Sequence, residues 1–120
     1  MIKRIVIAGS RDYNNYDEAK EFIDSCLIDI NKENEIIIVS GCASGADAIG
    51  ERYAMENGFK IEKYPADWKR YGRAAGPKRN KLMAEICDLL ICFWDEKSKG
   101  TKSMIDYAEK YGKKVEIKYV

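Results

Sequence analysis

The stretch from Glu35 to Asp47 reads E-I-I-I-V-S-G-C-A-S-G-A-D, and it decides the fold class. Its consecutive β-branched residues, Ile36–Val39, are typical of a strand that is buried on both faces of a parallel sheet. A loop rich in small residues, Gly41–Gly45, follows at once and leads into a helical pattern of apolar residues that begins at Ala46. A strand, a glycine-containing loop and a helix in this order predict one unit of an α/β fold.

The same alternation of strands and helices continues on either side of this unit. Apolar runs at 5–8 and 89–94 predict two more buried strands, while segments 59–62 and 115–119 alternate with charged residues and predict edge strands. The helical patterns lie between the strands, at residues 16–30, 46–54, 77–86 and 104–111. With right-handed crossovers we expect a Rossmann-like, three-layer α/β fold. Its parallel five-stranded sheet has the order 3-2-1-4-5, with helices on both faces.

Length, composition and charge limit the function classes. The chain has 120 residues, of which 46% are hydrophobic, so we expect residues 1–120 to form a single domain. The 21 basic and 20 acidic residues give a net charge of +1, which excludes a uniformly basic nucleic-acid coat protein. The absence of histidine excludes Ser-His-Asp catalysis and histidine-ligated zinc.

The cysteines and the first residues indicate a cellular compartment. Cys26, Cys42, Cys87 and Cys92 form no C-x-x-C pair, so we expect free thiols, no metal site and no cofactor. The apolar run that follows Met1 is too short for a signal peptide or a membrane span. We therefore expect a cytoplasmic protein that has no membrane partner.

Small and polar residues collect where the predicted strands end. Ligands of open α/β sheets bind beyond the carboxyl ends of the strands, at the point where the strand order reverses. Two loops at this end, Gly41–Gly45 and Ser98–Thr101, open helices and would present backbone N–H groups to a phosphate or carboxylate. The expected ligand-binding residues are Gly9, Ser10, Arg11, Ser40, Gly41, Cys42, Gly45, Ala46, Asp47, Trp68, Arg79, Asn80, Ser98, Gly100 and Thr101.

The longest predicted irregular stretch, 65–76, runs into the most basic part of the chain. From Asp67 to Lys81 there are six basic residues and one acid. This pattern predicts either a solvated loop or an anion site with an aromatic wall, and Trp68 is either a plug for a small core or a stacking platform. We expect Arg79 and Asn80 to lie in the first turn of the following helix and to turn inward.

Five motifs together resemble the YspA-like SLOG family. They are Gly9–Asp12 (G-S-R-D), Ser40–Asp47 (S-G-x-A-x-G-A-D), Pro65–Trp68 (P-A-D-W), Gly72–Asn80 (G-R-x-A-G-P-x-R-N) and Ser98–Thr101 (S-x-G-T). The SLOG superfamily also contains the LOG phosphoribohydrolases and the DNA-processing protein DprA. The resemblance implies a Rossmann-like fold and a nucleotide-type small-molecule ligand, and LOG proteins make a homodimer an open alternative.

One departure from the LOG pattern bears on catalysis. LOG hydrolases carry glutamates two and three residues after their Gly-Thr pair, where this chain has Ser103 and Met104. Catalytic residues are therefore unassigned, and Asp47 and Asp95 are the candidates for a displaced carboxylate. The leading expectation is a protein that senses or sequesters a phosphorylated nucleotide or an ADP-ribose-like ligand. The alternatives are a nucleotide N-glycosidase and a DprA-like binder of single-stranded nucleic acid.

Overall fold

The computed structural model describes all 120 residues and confirms the predicted fold class and strand order. Its single sheet has five parallel strands in the order β3-β2-β1-β4-β5. The elements, in chain order, are β1 (Ile2–Gly9), α1 (Tyr16–Leu27), β2 (Glu35–Ser40), α2 (Ala46–Asn57), β3 (Lys60–Lys63), α3 (Trp68–Tyr71), a 3-10 turn (Gly72–Ala74), α4 (Ala75–Ile86), β4 (Leu89–Trp94), α5 (Lys99–Lys110) and β5 (Lys114–Tyr119).

Two apolar cores cover the two faces of the sheet. Because neighbouring residues of a strand point to opposite faces, Ile5 and Ile7 of β1 enter one core and Val6 and Ala8 enter the other. Helices α1 and α2 pack in the first core, and helices α4 and α5 pack in the second. The apolar residues of β1, β2 and β4 are buried on both sides, as their uninterrupted runs predict.

The segment predicted to be irregular contains helical structure. Asp67 accepts a hydrogen bond from the N–H of Arg70 at 3.2 Å and caps helix α3, which is followed by the 3-10 turn. Helix α4 consequently begins at Ala75. We predicted Arg79 in the first turn of this helix, but it lies in the second. Leu82, which the helical pattern placed in the core, is exposed because the neighbouring Met83 faces the sheet.

A close contact between β1 and β4 fixes the path of the loop that follows β1. Gly9 pairs with Phe93 of β4, and a side chain at Gly9 would collide with the Phe93 carbonyl oxygen. The N–H of Ser10 donates to the same oxygen at 2.9 Å, and the Ser10 carbonyl accepts from the N–H of Ala46 at 3.3 Å. The chain therefore turns sharply after β1 and meets the start of α2.

Two further expectations concern the cysteines and the membrane. All four cysteines are free thiols, and only Cys42 is fully exposed. Each of the four long helices has 12 residues, and none has the length and apolar content needed to cross a lipid bilayer.

Candidate functional site

Three adjoining cavities lie beyond the carboxyl ends of the strands, and all three have Arg11 and Arg79 in their walls. The first, which we name the Pro65 cavity, measures about 280 Å³ and lies between the loops that follow β2 and β3. The second, the Asp47 cavity, measures about 70 Å³, and the third, the Pro77 cavity, measures about 270 Å³. Because Arg11 and Arg79 line all three cavities, we treat the cavities as one cleft.

Arg79 is held in the cleft by hydrogen bonds to the loop after β2 and to its neighbour Asn80 in helix α4. Its Nη1 donates to the carbonyl oxygen of Gly41, and its Nε donates to Asn80 Oδ1 at 3.0 Å. The amide of Asn80 in turn donates to the Gly100 carbonyl oxygen at 3.2 Å. Asn80 is buried, as predicted for a residue that turns inward. The two side chains thus connect the loop after β2 to the first turn of α5.

The charge of the two arginines in the cleft is not balanced by an ion pair. None of the ion pairs in the structure includes Arg11 or Arg79. Burial lowers the pKa of Arg79, Asp47 acts to raise it, and the positive charge of Arg11 lowers it further. The two guanidinium groups therefore place positive charge in the walls of the cleft, where an anion could enter.

Asp47 provides the one carboxylate in the walls of the cleft. Its side chain is only 6% exposed, and Oδ2 accepts a hydrogen bond from the N–H of Ala43 at 3.1 Å. Burial raises the pKa of Asp47, although the Ala43 N–H, Arg79 and Arg11 all favour the charged form. The carboxylate is therefore kept in the cleft at a cost in stability.

Gly41 allows the arginine and the carboxylate to approach the same stretch of backbone. A Cβ atom at Gly41 would lie 2.6 Å from Arg79 Nη1 and 2.8 Å from Asp47 Oδ2. A side chain at Gly41 would therefore make the end of the Arg79 or Asp47 side chain move. The glycine predicted from the sequence to contact a ligand thus also gives these two groups room beside the loop.

The structure brings most of the predicted residues together in the walls of this cleft. The eleven that line it are Gly9, Arg11, Gly41, Cys42, Asp47, Trp68, Arg79, Asn80, Ser98, Gly100 and Thr101. The four that do not line it are Ser10, Ser40, Gly45 and Ala46.

Two of these four residues support the loops behind the cleft. Ser40 Oγ donates to Glu51 Oε2 at 2.7 Å and accepts from the N–H of Cys42 at 3.1 Å, so it holds the loop after β2. Gly45 has a φ of +71°, and a side chain there would collide with the carbonyl groups of Ser10 and Arg11. In the structure both residues support the loop backbone, and their contact with a ligand stays a prediction.

The start of α5 differs from the prediction in its donors. Ser98 Oγ accepts from the N–H of Thr101 at 3.3 Å and also from its hydroxyl at 2.9 Å, so the Thr101 N–H is already occupied. The backbone N–H groups of Lys99 and Gly100 are the ones left without a protein acceptor at this end of the helix. An anion in the Pro77 cavity would meet these two groups.

Asp95, the other carboxylate proposed as a catalytic candidate, stabilises its own loop. Its Oδ1 accepts from the N–H groups of Lys97 and Ser98, both at 2.8 Å, and these bonds lower the pKa of Asp95. Asp95 lines none of the three cavities, whereas Asp47 lines the smallest one.

Trp68 stands at the mouth of the cleft. It lines both the Pro65 and the Pro77 cavities, its side chain is 52% exposed, and its ring edge lies over Gly76. A ring with half its surface in solvent is a platform at the cleft and not a plug of a core. The basic side chains around it, Lys69, Arg70, Arg73, Lys78 and Lys81, are exposed and line none of the cavities.

The sequence analysis missed two polar residues of the Pro77 cavity. Lys99 and Ser103 both line it, one helical turn apart on α5. Their spacing of four residues beside Gly100 places all three on one side of the helix, which is the pattern that could have identified them.

Comparison with known proteins places this cleft in a family. Residues 3–71 match the YspA, cpYpsA-related SLOG family, and this segment contains β1, β2 and the loops that follow them. The chain belongs to this family. Arg79, Asn80 and the start of α5 lie beyond the matched segment of this SLOG protein.

Two individual proteins are similar to this SLOG protein over most of its length. The Gene 61 protein of Mycobacterium phage D29 is 30% identical over 118 residues, which cover 92% of each chain. The structure of DNA processing protein A (DprA) from Streptococcus pneumoniae superposes with a TM-score of 0.71 at 25% identity and covers 98% of this chain. The SLOG protein spans half the length of that DprA chain. Family and structural similarity together fit a role related to nucleotides or nucleic acids.

The buried carboxylate leads to a prediction about stability. Because burial raises the pKa of Asp47, the ionised side chain destabilises the folded state at every pH above the unfolded-state pKa of about 3.9. Asp47→Asn keeps an acceptor for the Ala43 N–H and removes the charge. We expect it to raise the free energy of unfolding at pH 7 by on the order of 1 kcal/mol, and by less at pH 4.

Urea denaturation at both pH values measures this effect. Asp12→Asn is the matched control, because Asp12 is exposed in the loop after β1 and should change stability little at either pH. A loss of stability in Asp47→Asn at pH 7 would show that Arg11 and Arg79 stabilise the carboxylate by more than its burial costs.

Proposed function

We propose that this SLOG protein binds a phosphorylated nucleotide, or a nucleotide-derived ligand such as ADP-ribose, in the cleft shared by the three cavities. Its role would be to sense or to sequester that ligand. The observation that carries the proposal is the pair of guanidinium groups, Arg11 and Arg79, which occupy the walls of every cavity and form no ion pair.

The arginines supply donors that suit a phosphate group. A guanidinium has five N–H donors, and Arg79 directs Nη1 and Nε at protein oxygens, so further donors remain for a ligand. Hydrogen bonds between arginine and phosphate are charge-assisted and are stronger than neutral ones. Because Arg79 is already held by its bonds to Gly41 and Asn80, little side-chain entropy is lost when it binds a phosphate.

The remaining walls suit the other parts of a nucleotide. Trp68 offers an exposed aromatic surface on which a base can stack. The Pro65 and Pro77 cavities measure about 280 and 270 Å³, close to the lower limit of about 300 Å³ for small-molecule sites. The free N–H groups of Lys99 and Gly100 lie across the Pro77 cavity from Arg79, where a second phosphate could bind.

A second candidate function is binding of single-stranded nucleic acid. The favouring observation is the row of exposed basic residues beside Trp68, together with the structural similarity to a protein named for DNA processing. Arg70 and Lys78 both lie over the ring of Tyr71, at 5.1 and 4.9 Å from its centre. A strand that entered the cleft could continue across this basic surface.

Arg79→Ala should weaken binding of AMP or ADP by about 10- to 100-fold, because one charge-assisted hydrogen bond contributes about 1.5–3 kcal/mol. Adenosine, which has no phosphate, should lose much less affinity. Isothermal titration calorimetry with these three ligands measures the difference. Equal losses for AMP and adenosine would show that Arg79 does not bind phosphate.

Arg73→Ala is the control that separates the two candidate functions. Arg73 is exposed beside Trp68 and lines none of the cavities, so its loss should leave AMP binding unchanged. A single-stranded oligonucleotide that runs over the basic surface would be weakened by Arg73→Ala as well as by Arg79→Ala. Tight oligonucleotide binding without mononucleotide binding would favour the second candidate.

Gly100→Ala should separate stability from binding. Gly100 lies in the first turn of α5, its φ is not positive, and a Cβ atom there meets nothing within 4 Å, so the free protein does not need glycine. Alanine should stabilise the helix by up to about 1 kcal/mol. It should also weaken AMP or ADP binding by about tenfold, because its methyl group would enter the cleft where a phosphate approaches the backbone.

Thermal unfolding and calorimetry on the same protein test this pair of effects. Lys102→Ala, an exposed change in the same helix that lines none of the cavities, should alter neither AMP nor ADP affinity. If Gly100→Ala binds both nucleotides as tightly as the unmodified protein, the start of α5 is not part of the phosphate site.

We expect binding without release of a free base. The positions two and three residues after Thr101 hold Ser103, which lines the Pro77 cavity, and Met104, which is buried. Neither side chain can stabilise the positive charge that develops on the sugar during cleavage of an N-glycosidic bond. Chromatography of AMP after long incubation at high protein concentration should show no adenine. Release of adenine that Asp47→Asn abolishes would make the protein a hydrolase.

A further inference from the structure

The Asp47 carboxylate has one oxygen that no protein group satisfies. Oδ2 accepts from the Ala43 N–H, but no donor of the protein lies within hydrogen-bond distance of Oδ1. Every side-chain polar atom that is fully shielded from solvent has a partner, so Oδ1 must retain some exposure. Since Asp47 lines the Asp47 cavity and is otherwise 94% shielded, its open oxygen faces that cavity.

A carboxylate at this place excludes one part of the proposed ligand and attracts another. A phosphate at Oδ1 would bring two negative charges together in a poorly solvated cavity, which is strongly unfavourable. Oδ1 instead needs a hydrogen-bond donor, because an unpaired buried acceptor carries the full cost of its desolvation. The phosphates must therefore lie toward Arg11 and Arg79, and a neutral donor group must point to Asp47.

The size of the Asp47 cavity decides which donor can enter. Its volume is about 70 Å³, whereas a cavity that accommodates a benzene ring is about 150 Å³. A purine or pyrimidine ring is too large, but the hydroxyl groups of a sugar whose ring lies at the opening would fit. Of the other walls, Gly9 and Met83 have no polar side chain, and the hydroxyl groups of Ser98 and Thr101 are hydrogen-bonded to each other.

We infer that Asp47 accepts a hydrogen bond from a ring hydroxyl of the ligand's ribose, so that the cleft selects ribose-bearing phosphates over their deoxy analogues. The inference rests on the proposed nucleotide-binding function and adds to it the class of sugar. It also assigns each part of the ligand a position. The sugar hydroxyls enter the Asp47 cavity, the phosphates bind between the arginines, and the base lies toward Trp68.

The physical basis of this selectivity is the cost of leaving Oδ1 unpaired. A deoxy ligand would cover the cavity and remove the water that Oδ1 can otherwise bind, without supplying a donor. A ribose-bearing ligand replaces that water by a charge-assisted hydrogen bond, which is stronger than a neutral one. The discrimination therefore comes from rejection of the deoxy sugar as much as from attraction of ribose.

Calorimetry on the full chain with five probes tests the inference. The probes are AMP, 2′-deoxy-AMP, 3′-deoxy-AMP, ribose 5-phosphate and 2-deoxyribose 5-phosphate, and the last two separate the effect of the sugar from that of the base. We expect at least one deoxy analogue to bind ten- to a hundredfold more weakly than AMP, and ribose 5-phosphate to bind more tightly than 2-deoxyribose 5-phosphate. Equal affinity for AMP and both deoxy analogues would overturn the inference while leaving the proposed function intact.

Asp47→Asn provides the second measurement. The amide keeps the shape of the side chain and an acceptor for the Ala43 N–H, but it places a neutral NH2 group where the charged Oδ1 stood. A neutral hydrogen bond to the hydroxyl then replaces a charge-assisted one, so the ratio of deoxy-AMP to AMP dissociation constants should fall severalfold. Asp12→Asn, which removes a nearby exposed charge, should keep the full ratio. A ratio that persists in Asp47→Asn would overturn the assignment to Asp47, and no binding of any probe would overturn the proposed function together with this inference.

Discussion

The cleft depends on the way one guanidinium group is held. Arg79 donates to the carbonyl of Gly41 and to the amide of Asn80, which passes the connection on to Gly100. Three separate segments, the loop after β2, helix α4 and the start of α5, are positioned relative to one another by these bonds. The remaining features follow from this arrangement. Gly41 leaves room for the end of the Arg79 side chain, and the cleft divides into three cavities around that side chain.

Positions in the cleft are occupied by residues that lower the stability of the folded chain. Asp47 is buried with its pKa raised, and Gly100 occupies a helical position where a larger residue would fit. Packing in the two cores explains neither residue, because the cores bury large apolar residues in regular elements. Residues that destabilise a fold without a packing reason are concentrated where a protein meets its ligand. Here they lie within one cleft, next to the two arginines.

Much of the fold could be predicted because it follows from hydrophobic patterning over long stretches. Ile36–Val39 and the run at 89–94 are typical of buried strands, and placing the apolar strands in the centre and the alternating ones at the edges gives the observed order of the sheet. Helix α3 was not predicted because four residues are too few to show a helical spacing of apolar residues. Its only indication in the sequence is Asp67, the residue that caps it. The earlier start of α4, at Ala75, was missed for a related reason, since Pro77 is accepted anywhere in the first turn of a helix.

The site could be located from sequence but not resolved into roles. Ser40 and Ser98 have the small polar side chains that both loops and ligand sites use, and in the structure they bond to Cys42 and Thr101. Gly41 and Gly100 look alike in sequence. In the structure a Cβ atom at Gly41 would crowd the ends of the Arg79 and Asp47 side chains, whereas one at Gly100 would meet nothing within 4 Å. Such distinctions depend on which atoms approach in three dimensions, and no local pattern contains them.

The position of Cys42 allows a chemical probe to be attached at the cleft. Cys42 is the one fully exposed thiol, and it lies in the wall of the Pro65 cavity. The other three cysteines are shielded to differing degrees within the two cores, so a maleimide dye would label the native chain preferentially at the cleft. A fluorophore attached there would sense occupation of the cleft directly, and a crosslinker of known length would measure how far a neighbouring molecule lies from it.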